Sequence, residues 1–275
     1  MNNHKIIITG SRGFIGSNFI EKTKHKNLIF VKRNTGNSGF EMLNSSNQKV
    51  DFHKVRNNKF SILHLATFFS KNEYDNKKIY EANISFGEKL IEKTNDLDVH
   101  KILYTNTMYN FYKDGETRNL FYTETKNQFS NYLKNYSTRQ DIFYEEIYLD
   151  NTFGSGDTRK KIIPLIVDAV NEDKRNPIIN PNNSINLIPV SSVVERLDRA
   201  LEKSISSTSS FISKKSINIS SIYDYLKNFK LTKKKQKQIL VFMNNNYTSH
   251  FPEIDYSGIK IPNIENTLIE TFENK

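Results

Sequence analysis

The chain of 275 residues contains no cysteine. That absence excludes a disulfide scaffold, a thiolate metal site and a cysteine nucleophile, and no other metal site is expected. No apolar run approaches the roughly 20 residues of a membrane-spanning helix. The short run at residues 6–8 is no signal peptide either, because a glycine turn follows it directly. We therefore expect a soluble, cytoplasmic protein with no membrane partner.

Acidic residues are outnumbered by basic ones, and the formal net charge is +10. An excess of this size is compatible with nucleic-acid binding. The basic residues are scattered, however, and the densest group, at residues 233–237, is typical of a solvated helix face. We expect no nucleic-acid partner, and a positive field that helps to capture an anionic diphosphate ligand.

Glycine is also scarce, yet three of the ten glycines lie close together at Gly10, Gly13 and Gly16. The apolar run at residues 6–8 precedes them and an amphipathic stretch follows, which predicts a strand, a tight turn and a helix. In a dinucleotide site, glycines at this spacing permit the turn, the approach of a ligand and close helix packing. The start of such a helix binds pyrophosphate through its free amide groups.

Apolar runs and helical spacings alternate along the rest of the chain. The predicted strands are 28–32, a possible short strand at 49–52, 61–66, 101–106, 142–149 and a late strand near Ile217; the predicted helices are 77–94, 122–136, 162–170 and 193–201. This alternation predicts an α/β fold, a doubly wound parallel sheet of the Rossmann type with helices on both faces.

The order of these elements also suggests how the chain divides. We expect a dinucleotide-binding Rossmann domain over residues 1–153, to which residues 184–219 return. Residues 154–183 and 220–275 are expected to form a small C-terminal substrate-binding lobe.

A second pattern is Tyr122 and Lys126, which share one face of a helix at a spacing of four residues. Tyrosine has an ordinary pKa near 10 and is a poor acid or base at neutral pH. A neighbouring ammonium group favours the phenolate and makes the tyrosine useful for proton transfer. The pattern follows a strand that ends in Thr105, Asn106 and Thr107.

With these residues the chain resembles the extended short-chain dehydrogenase/reductases, or NAD-dependent epimerase/dehydratases. The similarity runs through seven segments in order: residues 10–16, 62–66, Asn83, 103–107, Tyr122 with Lys126, 151–157 and 185–194.

The resemblance implies roles for particular residues. The catalytic residues are Thr107, Tyr122 and Lys126. The cofactor-binding residues are Gly10, Ser11, Arg12, Gly13, Phe14, Ile15, Gly16, Arg33, Asn34, Leu65, Ala66, Thr67, Asn83, Thr105, Tyr122 and Lys126. The substrate-binding residues are Thr67, Thr107, Asn151, Arg159 and Lys160. A homodimer packed through the helices that begin near residues 77 and 122 is implied as well.

Within the family, residues 64–67, Asn106, Thr107 and Phe111 are similar to CDP-abequose and CDP-paratose synthases. The sugar-nucleotide 4,6-dehydratases carry an Asp-Glu pair after the catalytic threonine, where this chain has Met108 and Tyr109. The resemblance therefore implies an NADPH-dependent reductase of a nucleotide-activated 4-keto-deoxysugar, in deoxysugar and surface-polysaccharide biosynthesis. The alternatives are a nucleotide-sugar 4-epimerase and a noncatalytic dinucleotide-binding relative.

The end of the second predicted strand favours NADP(H) over NAD(H) as the cofactor. NAD enzymes usually place an acidic residue there for the ribose hydroxyls, whereas this chain has Lys32, Arg33 and Asn34. An arginine fork can bind a 2′-phosphate with two hydrogen bonds. Arg12 resembles the corresponding arginine of GDP-fucose synthase and is expected on the other side of the phosphate.

Overall fold

The fold is seen in a computed structural model that describes residues 4–33, 39–118, 120–177, 183–235 and 239–275. Asn34, one of the predicted cofactor residues, lies outside the described residues. The strands are β1 (His4–Thr9), β2 (Leu28–Arg33), β3 (Phe40–Asn44), β4 (Lys59–His64), β5 (Asp98–Thr107), β6 (Phe143–Leu149), β7 (Asn151–Phe153), β8 (Ser184–Ile185), β9 (Leu187–Pro189), β10 (Ser207–Phe211), β11 (Ser216–Asn218) and β12 (Phe242–Met243). The helices are α1 (Phe14–Lys22), α2 (Phe52–Val55), α3 (Asn76–Tyr80), α4 (Phe86–Lys93), α5 (Gly115–Arg118), α6 (Phe121–Arg139), α7 (Ile162–Asn171), α8 (Val190–Glu202), α9 (Ile219–Thr232) and α10 (Ile264–Glu273).

The main sheet has seven strands in the order β10-β6-β5-β4-β1-β2-β3. Every neighbouring pair is parallel except β2 and β3, which are antiparallel. In the centre, Ile7 pairs with Ile29 on one side and with Ile62 on the other. The predicted doubly wound α/β fold is confirmed, with one antiparallel strand at its edge.

Both faces of this sheet are covered, because side chains along each strand alternate between the faces. One face carries Ile7, Ile62 and Ile102, which pack with residues of α4 and α6 such as Leu90 and Phe129. The other face carries Ile8, Leu63 and Leu103, which pack with apolar residues of α1 and α8. The parallel sheet is therefore the middle layer of three.

The strand after β2 differs from the prediction of residues 49–52. It runs over Phe40–Asn44, and Lys49 forms only an isolated bridge with Leu43. The side-chain oxygen of Asn44 accepts from the amides of Ser46 and Gln48, which stabilises a tight turn after β3. The prediction was wrong because the burial of Phe40 and Leu43, and not local spacing, selects the strand.

The helix expected at residues 77–94 is interrupted. A π-helical turn, Glu81–Ser85, separates α3 from α4 and contains the buried Asn83. Below it, α4 packs closely on α6, since a Cβ atom on Gly87 would lie 2.1 Å from the Phe129 ring. Such turns re-aim side chains within a helix.

A second, smaller sheet has the order β12-β11-β8, and β7 pairs separately with β9. Its apolar core joins α7, α9 and α10 through residues such as Ile166, Leu226 and Leu268. Ile217 lies on β11 in this small sheet, so the prediction of a late main-sheet strand near Ile217 was wrong. The last strand of the main sheet is β10, which pairs with β6. The segment that returns to the main sheet is thus α8 with β10, and not residues 184–219 as a whole.

Strand β10 escaped prediction because its sequence is rich in serine. Ser209 and Ser210 are nevertheless buried. The amide of Ser210 donates to the Glu253 carbonyl, and its hydroxyl donates to the Pro252 carbonyl. Hydrogen bonds from the C-terminal segment thus stabilise a polar strand inside the fold. Among the described residues, no helix is both long and apolar enough to cross a membrane.

Candidate active site

A cleft of about 730 Å³ lies at the carboxyl ends of β1, β4, β5 and β6. This end of a parallel sheet is where α/β folds bind ligands. The cleft brings together nearly all of the predicted site residues: Gly10, Ser11, Arg12, Gly13, Phe14, Ile15, Gly16, Arg33, Leu65, Ala66, Thr67, Thr105, Thr107, Tyr122, Lys126, Asn151, Arg159 and Lys160. Of the predicted residues that the structure describes, Asn83 alone does not line it.

The glycine loop is packed so tightly that two of its positions leave no room for a side chain. Gly10 has a φ of +69°, and a Cβ atom there would lie 2.8 Å from the Ala66 nitrogen. A Cβ atom on Gly16 would lie 2.2 Å from the Gly10 carbonyl oxygen. Gly13 is the N-cap residue of α1 and has no side chain to cap the helix. The first amides of α1 can therefore serve an anion in the cleft.

Thr9 fixes the glycine loop against the next strand. Its hydroxyl oxygen accepts hydrogen bonds from the amides of Leu65 and Ala66, at 3.1 and 3.0 Å. The loop after β4 is thereby held beside Gly10. Sequence reasoning missed Thr9, although its position directly before the first glycine was a signal.

Tyr122 and Lys126 project from α6 toward the ends of β4 and β5. The Lys126 ammonium donates to the Thr105 carbonyl at 2.7 Å and lies 4.1 Å from the centre of the Tyr104 ring. The Tyr122 ring is buried and stands edge-on to Phe69, with 5.0 Å between ring centres. The predicted catalytic pair is thus held on two sides by backbone and aromatic contacts.

The ionisation of this pair differs from the expectation that Lys126 lowers the pKa of Tyr122. Burial raises the pKa of Tyr122, and hydrogen bonding with the Thr67 and Thr107 hydroxyls offsets part of that rise. Burial lowers the pKa of Lys126 to about 7, against the attraction of the Glu146 carboxylate. Burial therefore favours a protonated phenol, and the lysine titrates near neutral pH.

A buried polar network supports Thr107 from behind. The side-chain oxygen of Asn106 accepts from the Thr107 amide at 2.8 Å, and its amide nitrogen donates to Glu146 at 2.7 Å. Glu146 also accepts from the Ser130 hydroxyl at 2.6 Å. The network joins β5, β6 and α6, and the Glu146 carboxylate supports Thr107 through Asn106 while it acts on Lys126 through its charge.

Asn83 does not line the cleft, but it forms hydrogen bonds with residues that do. Its side-chain oxygen accepts from the Thr67 hydroxyl at 3.0 Å and from the Phe68 amide at 2.8 Å. Its amide nitrogen donates to the Thr125 hydroxyl at 3.1 Å. Asn83 thus fixes the loop after β4 against α6, and direct contact with a cofactor stays a prediction.

Two arginines line the part of the cleft near the end of β2 and the glycine loop. Arg33 ends β2, and its guanidinium carbon lies 4.8 Å from the centre of the Phe86 ring. Arg12 is exposed within the glycine loop. Both line the same cleft.

Three consecutive basic residues at 159–161 line the cleft and differ in their contacts. Arg159 donates to both carboxylate oxygens of Asp157, at 2.7 and 2.8 Å, and to the Thr152 carbonyl at 2.7 Å. Lys160 is exposed. The Lys161 ammonium lies 4.2 Å from the centre of the Phe69 ring, and burial lowers its pKa. Sequence reasoning named Arg159 and Lys160 but missed Lys161, whose only signal was its place in the same basic run.

The wall beyond Tyr122 holds two more residues that the sequence analysis missed, Tyr109 and Asp150. Asp150 follows β6 directly, and its neighbour Asn151 donates a side-chain hydrogen bond to it. A carboxyl group at the end of a central strand was a signal that the motif comparison passed over.

A family profile described as "NAD dependent epimerase/dehydratase family" matches residues 6–219. The chain belongs to this family of NAD(P)-dependent enzymes, which confirms the family predicted from the motifs.

CDP-abequose synthase from Salmonella typhimurium is 24% identical over 178 residues, or 61% of this chain and 59% of that protein. The chain therefore spans less than two thirds of the length of this relative. UDP-N-acetylglucosamine 4-epimerase from Methanobrevibacter ruminantium M1, solved with UDP-N-acetylmuramic acid, is 17% identical with a TM-score of 0.73, covering 100% of this chain and 98% of that one. UDP-glucuronic acid 4-epimerase from Bacillus cereus, solved with NAD, is 16% identical with a TM-score of 0.72, covering 98% of both chains. At these identities the two structures show the shared fold.

Proposed function

We propose that the chain is an NADPH-dependent reductase of a nucleotide-activated 4-keto-deoxysugar. The observation that carries the proposal is the convergence of Thr107, Tyr122 and Lys126 in one cleft with the glycine loop. The similarity to a protein named CDP-abequose synthase supports a nucleotide sugar as the substrate.

The residues present fit a bound dinucleotide. The close packing of Gly10 and Gly16 leaves backbone amides as the groups that meet the pyrophosphate. Lys126 reaches the end of β5, where it can donate to the ribose next to the nicotinamide. When bound, the dinucleotide supplies the hydride.

Tyr122 is the proton donor in this proposal. Its phenol keeps its proton at neutral pH, because burial raises its pKa, and the reduction of a ketone consumes a proton. The Thr107 hydroxyl donates a hydrogen bond to the carbonyl oxygen of the substrate and stabilises the negative charge that forms there. Lys126 orients the cofactor and supplies positive charge below Tyr122.

NADP(H) is proposed over NAD(H) because Arg33 and Arg12 line one end of the cleft. Each charge-assisted hydrogen bond to a 2′-phosphate contributes about 1.5–3 kcal/mol, which is tenfold or more in affinity. Dissociation constants for both dinucleotides test the preference in the wild type, Arg33→Ala and Arg12→Ala. Loss of the NADPH preference in both variants supports it, and tighter binding of NADH by the wild type contradicts it.

Lys161 is proposed as the diphosphate contact of the substrate, with Asn151 beside it. Asp157 already neutralises the charge of Arg159, and the Arg159 guanidinium carbon lies 4.3 Å from the centre of the Phe14 ring. Arg159 is therefore better suited to shaping the cleft wall than to binding the diphosphate. Lys160 keeps the candidate role that the resemblance implies.

We also propose a homodimer packed through α3, α4 and α6. Light scattering at micromolar concentration tests this proposal, and a monomer would contradict it.

The test of the activity follows the absorbance of NADPH in the presence of nucleotide 4-ketosugars with different bases. A reductase consumes NADPH in proportion to the ketosugar added. The matched control is Tyr122→Phe, which keeps the ring packing against Phe69 and removes the proton donor. We expect its turnover to fall by about 10²–10⁴-fold while NADPH binding is retained. Interconversion of 4-epimers without net consumption of cofactor would support the epimerase instead, and binding without any turnover would support the noncatalytic relative.

A further inference from the structure

A carboxyl group lies in the cleft wall at a position that the proposed chemistry leaves unused. Asp150 follows β6 and is only partly shielded from the cleft that it lines. Its two carboxylate oxygens accept from the Tyr112 hydroxyl at 3.1 and 2.8 Å. The Tyr247 hydroxyl also donates to it. A carboxylate is costly to place among aromatic rings unless it is hydrogen-bonded, and here two phenols hold it in a fixed orientation.

This group is connected to the proton donor by a continuous row of aromatic rings. The ring centres of Tyr122 and Tyr109 are 6.5 Å apart, those of Tyr109 and Tyr112 are 5.5 Å apart, and those of Tyr112 and Tyr247 are 5.2 Å apart. Tyr122, Tyr109 and Asp150 line the cleft, and Tyr112 and Tyr247 continue the row beyond these lining residues. A sugar ring whose keto carbon faces Tyr122 can therefore present another substituent to Asp150 within the same cleft.

Tyr247 comes from a part of the chain that lies outside the family match at residues 6–219. Backbone hydrogen bonds fix it there, from the Thr248 amide to the Phe111 carbonyl and from the Lys113 amide to the Asn246 carbonyl. The C-terminal segment thus completes the surroundings of a cleft residue. Such an addition is suited to a feature that distinguishes one substrate from another.

We propose that Asp150, held by Tyr112 and Tyr247, is a specificity-determining residue that accepts a hydrogen bond from a hydroxyl or ammonium substituent of the sugar ring. The proposal rests on the proposed function, because it takes the ligand to be a nucleotide sugar. The Tyr112 and Tyr247 hydroxyls and the Asn151 side chain donate to this carboxylate, which can accept about four hydrogen bonds, so a donor from a ligand can join those from the protein. Lys161 and Tyr109 are the other titratable cleft residues whose charges act on this carboxyl group or respond to it.

The test separates the contribution of the sugar from that of the nucleotide. Calorimetry measures dissociation constants for UDP and UDP-glucose and for CDP and CDP-glucose, and the ratio within each pair isolates the sugar. For the pair that the wild type binds, Asp150→Asn and Asp150→Ala should each reduce the preference for the sugar conjugate by about tenfold or more. Affinity for the bare nucleotide and for NADPH should change by less than about twofold.

Two tyrosine variants give a matched comparison. Tyr247→Phe should reduce the sugar preference by a smaller factor, because Asp150 loses one of the groups that orient it. Tyr256→Phe is the control, because Tyr256 belongs to the same C-terminal segment as Tyr247 and does not line the cleft. In the wild type the Tyr256 hydroxyl donates to the Ile212 carbonyl. It should leave the sugar preference unchanged.

The outcomes distinguish this inference from the proposed function. If the wild type reduces ketosugars and prefers sugar conjugates, and both Asp150 variants keep that preference, Asp150 is a structural residue and the inference is overturned. A lowered melting temperature with an unchanged preference has the same meaning. If the wild type binds no nucleotide sugar and consumes no NADPH with any ketosugar, the proposed function and the inference fall together.

Discussion

Substitution of Gly16 by alanine tests the cofactor loop more directly than any change to a catalytic residue. The new Cβ atom would lie 2.2 Å from the Gly10 carbonyl oxygen and 2.9 Å from the Gly10 carbonyl carbon. Both are backbone atoms, so no side chain can rotate away. Restoring an ordinary contact requires the loop and α1 to separate by roughly 1 Å.

This displacement has two consequences of known size. Overpacking of this kind typically costs about 1–3 kcal/mol of stability, which for a chain of this length lowers the melting temperature by roughly 2–10 °C. The displaced amides at the start of α1 also lose alignment with the pyrophosphate. Loss of one charge-assisted hydrogen bond alone weakens binding about tenfold or more.

The assay is a fluorescence titration of NADPH with a parallel thermal melt. Gly115→Ala is the control, because a Cβ atom on Gly115 would meet nothing within 4 Å. Gly115 begins the short helix α5, where alanine is tolerated better than glycine. We expect wild-type values for the control. If Gly16→Ala bound NADPH within twofold of the wild type at an unchanged melting temperature, the loop would not be the cofactor site and the reasoning would be refuted.

Three further predictions concern buried charges. Lys126→Met should reduce NADPH affinity, measured by titration, and turnover, measured by NADPH consumption. The proposed function has Lys126 orient the cofactor, and the substitution also removes its hydrogen bond to the Thr105 carbonyl. Retained NADPH affinity would contradict the role of Lys126 in holding the cofactor. Burial lowers the pKa of His64 to about 3, whereas its ordinary value is about 6.5. As the pH falls from about 6.5 to 3, the unfolded chain takes up a proton that the folded chain does not, so the free energy of unfolding decreases by up to about 5 kcal/mol. The free energy of unfolding of His64→Gln, measured with denaturant, should depend less on pH in that range, and an unchanged pH dependence would contradict this prediction. Lys101 pairs with Glu145 at 2.5 Å and Arg196 pairs with the same carboxylate at 2.9 Å, so Lys101→Met leaves Glu145 with one partner and should cost about 1–3 kcal/mol in denaturant unfolding while NADPH affinity stays the same; an unchanged free energy of unfolding would show that the pair contributes little.

The glycine-loop side of the cleft and the placement of Tyr122 and Lys126 were predictable from the sequence because their determinants are local. Gly10, Gly13 and Gly16 lie on one turn, and their spacing is imposed by how closely backbone must approach backbone. Tyr122 and Lys126 lie one helical turn apart, so their common direction follows from helix geometry alone. Local patterns of this kind survive in a sequence whatever the rest of the chain does.

The opposite wall of the cleft, with Asp150 and Lys161, depends on contacts between distant parts of the chain, and this is why it was harder to predict. Asp150 accepts a hydrogen bond from the Tyr247 hydroxyl, although the two residues are 97 positions apart in the sequence. Ser210 of β10 forms hydrogen bonds with the carbonyl groups of residues 252 and 253. A strand whose sequence is typical of a polar surface segment therefore belongs to the main sheet. Lys161 differs from Lys160 only in what each side chain meets in the folded protein.

The two sides of the site are joined by carboxylate and amide groups that no motif includes. Glu146 accepts from Asn106, which in turn holds the Thr107 amide, and its charge raises the pKa of Lys126 against burial. Without that carboxylate, burial alone would push the lysine further toward its neutral form. A neutral lysine would attract neither an anionic cofactor nor the charge that develops on the substrate oxygen. The buried network behind β5 therefore contributes to the charge of Lys126 as well as to the position of Thr107, and Glu146 is the residue common to both effects.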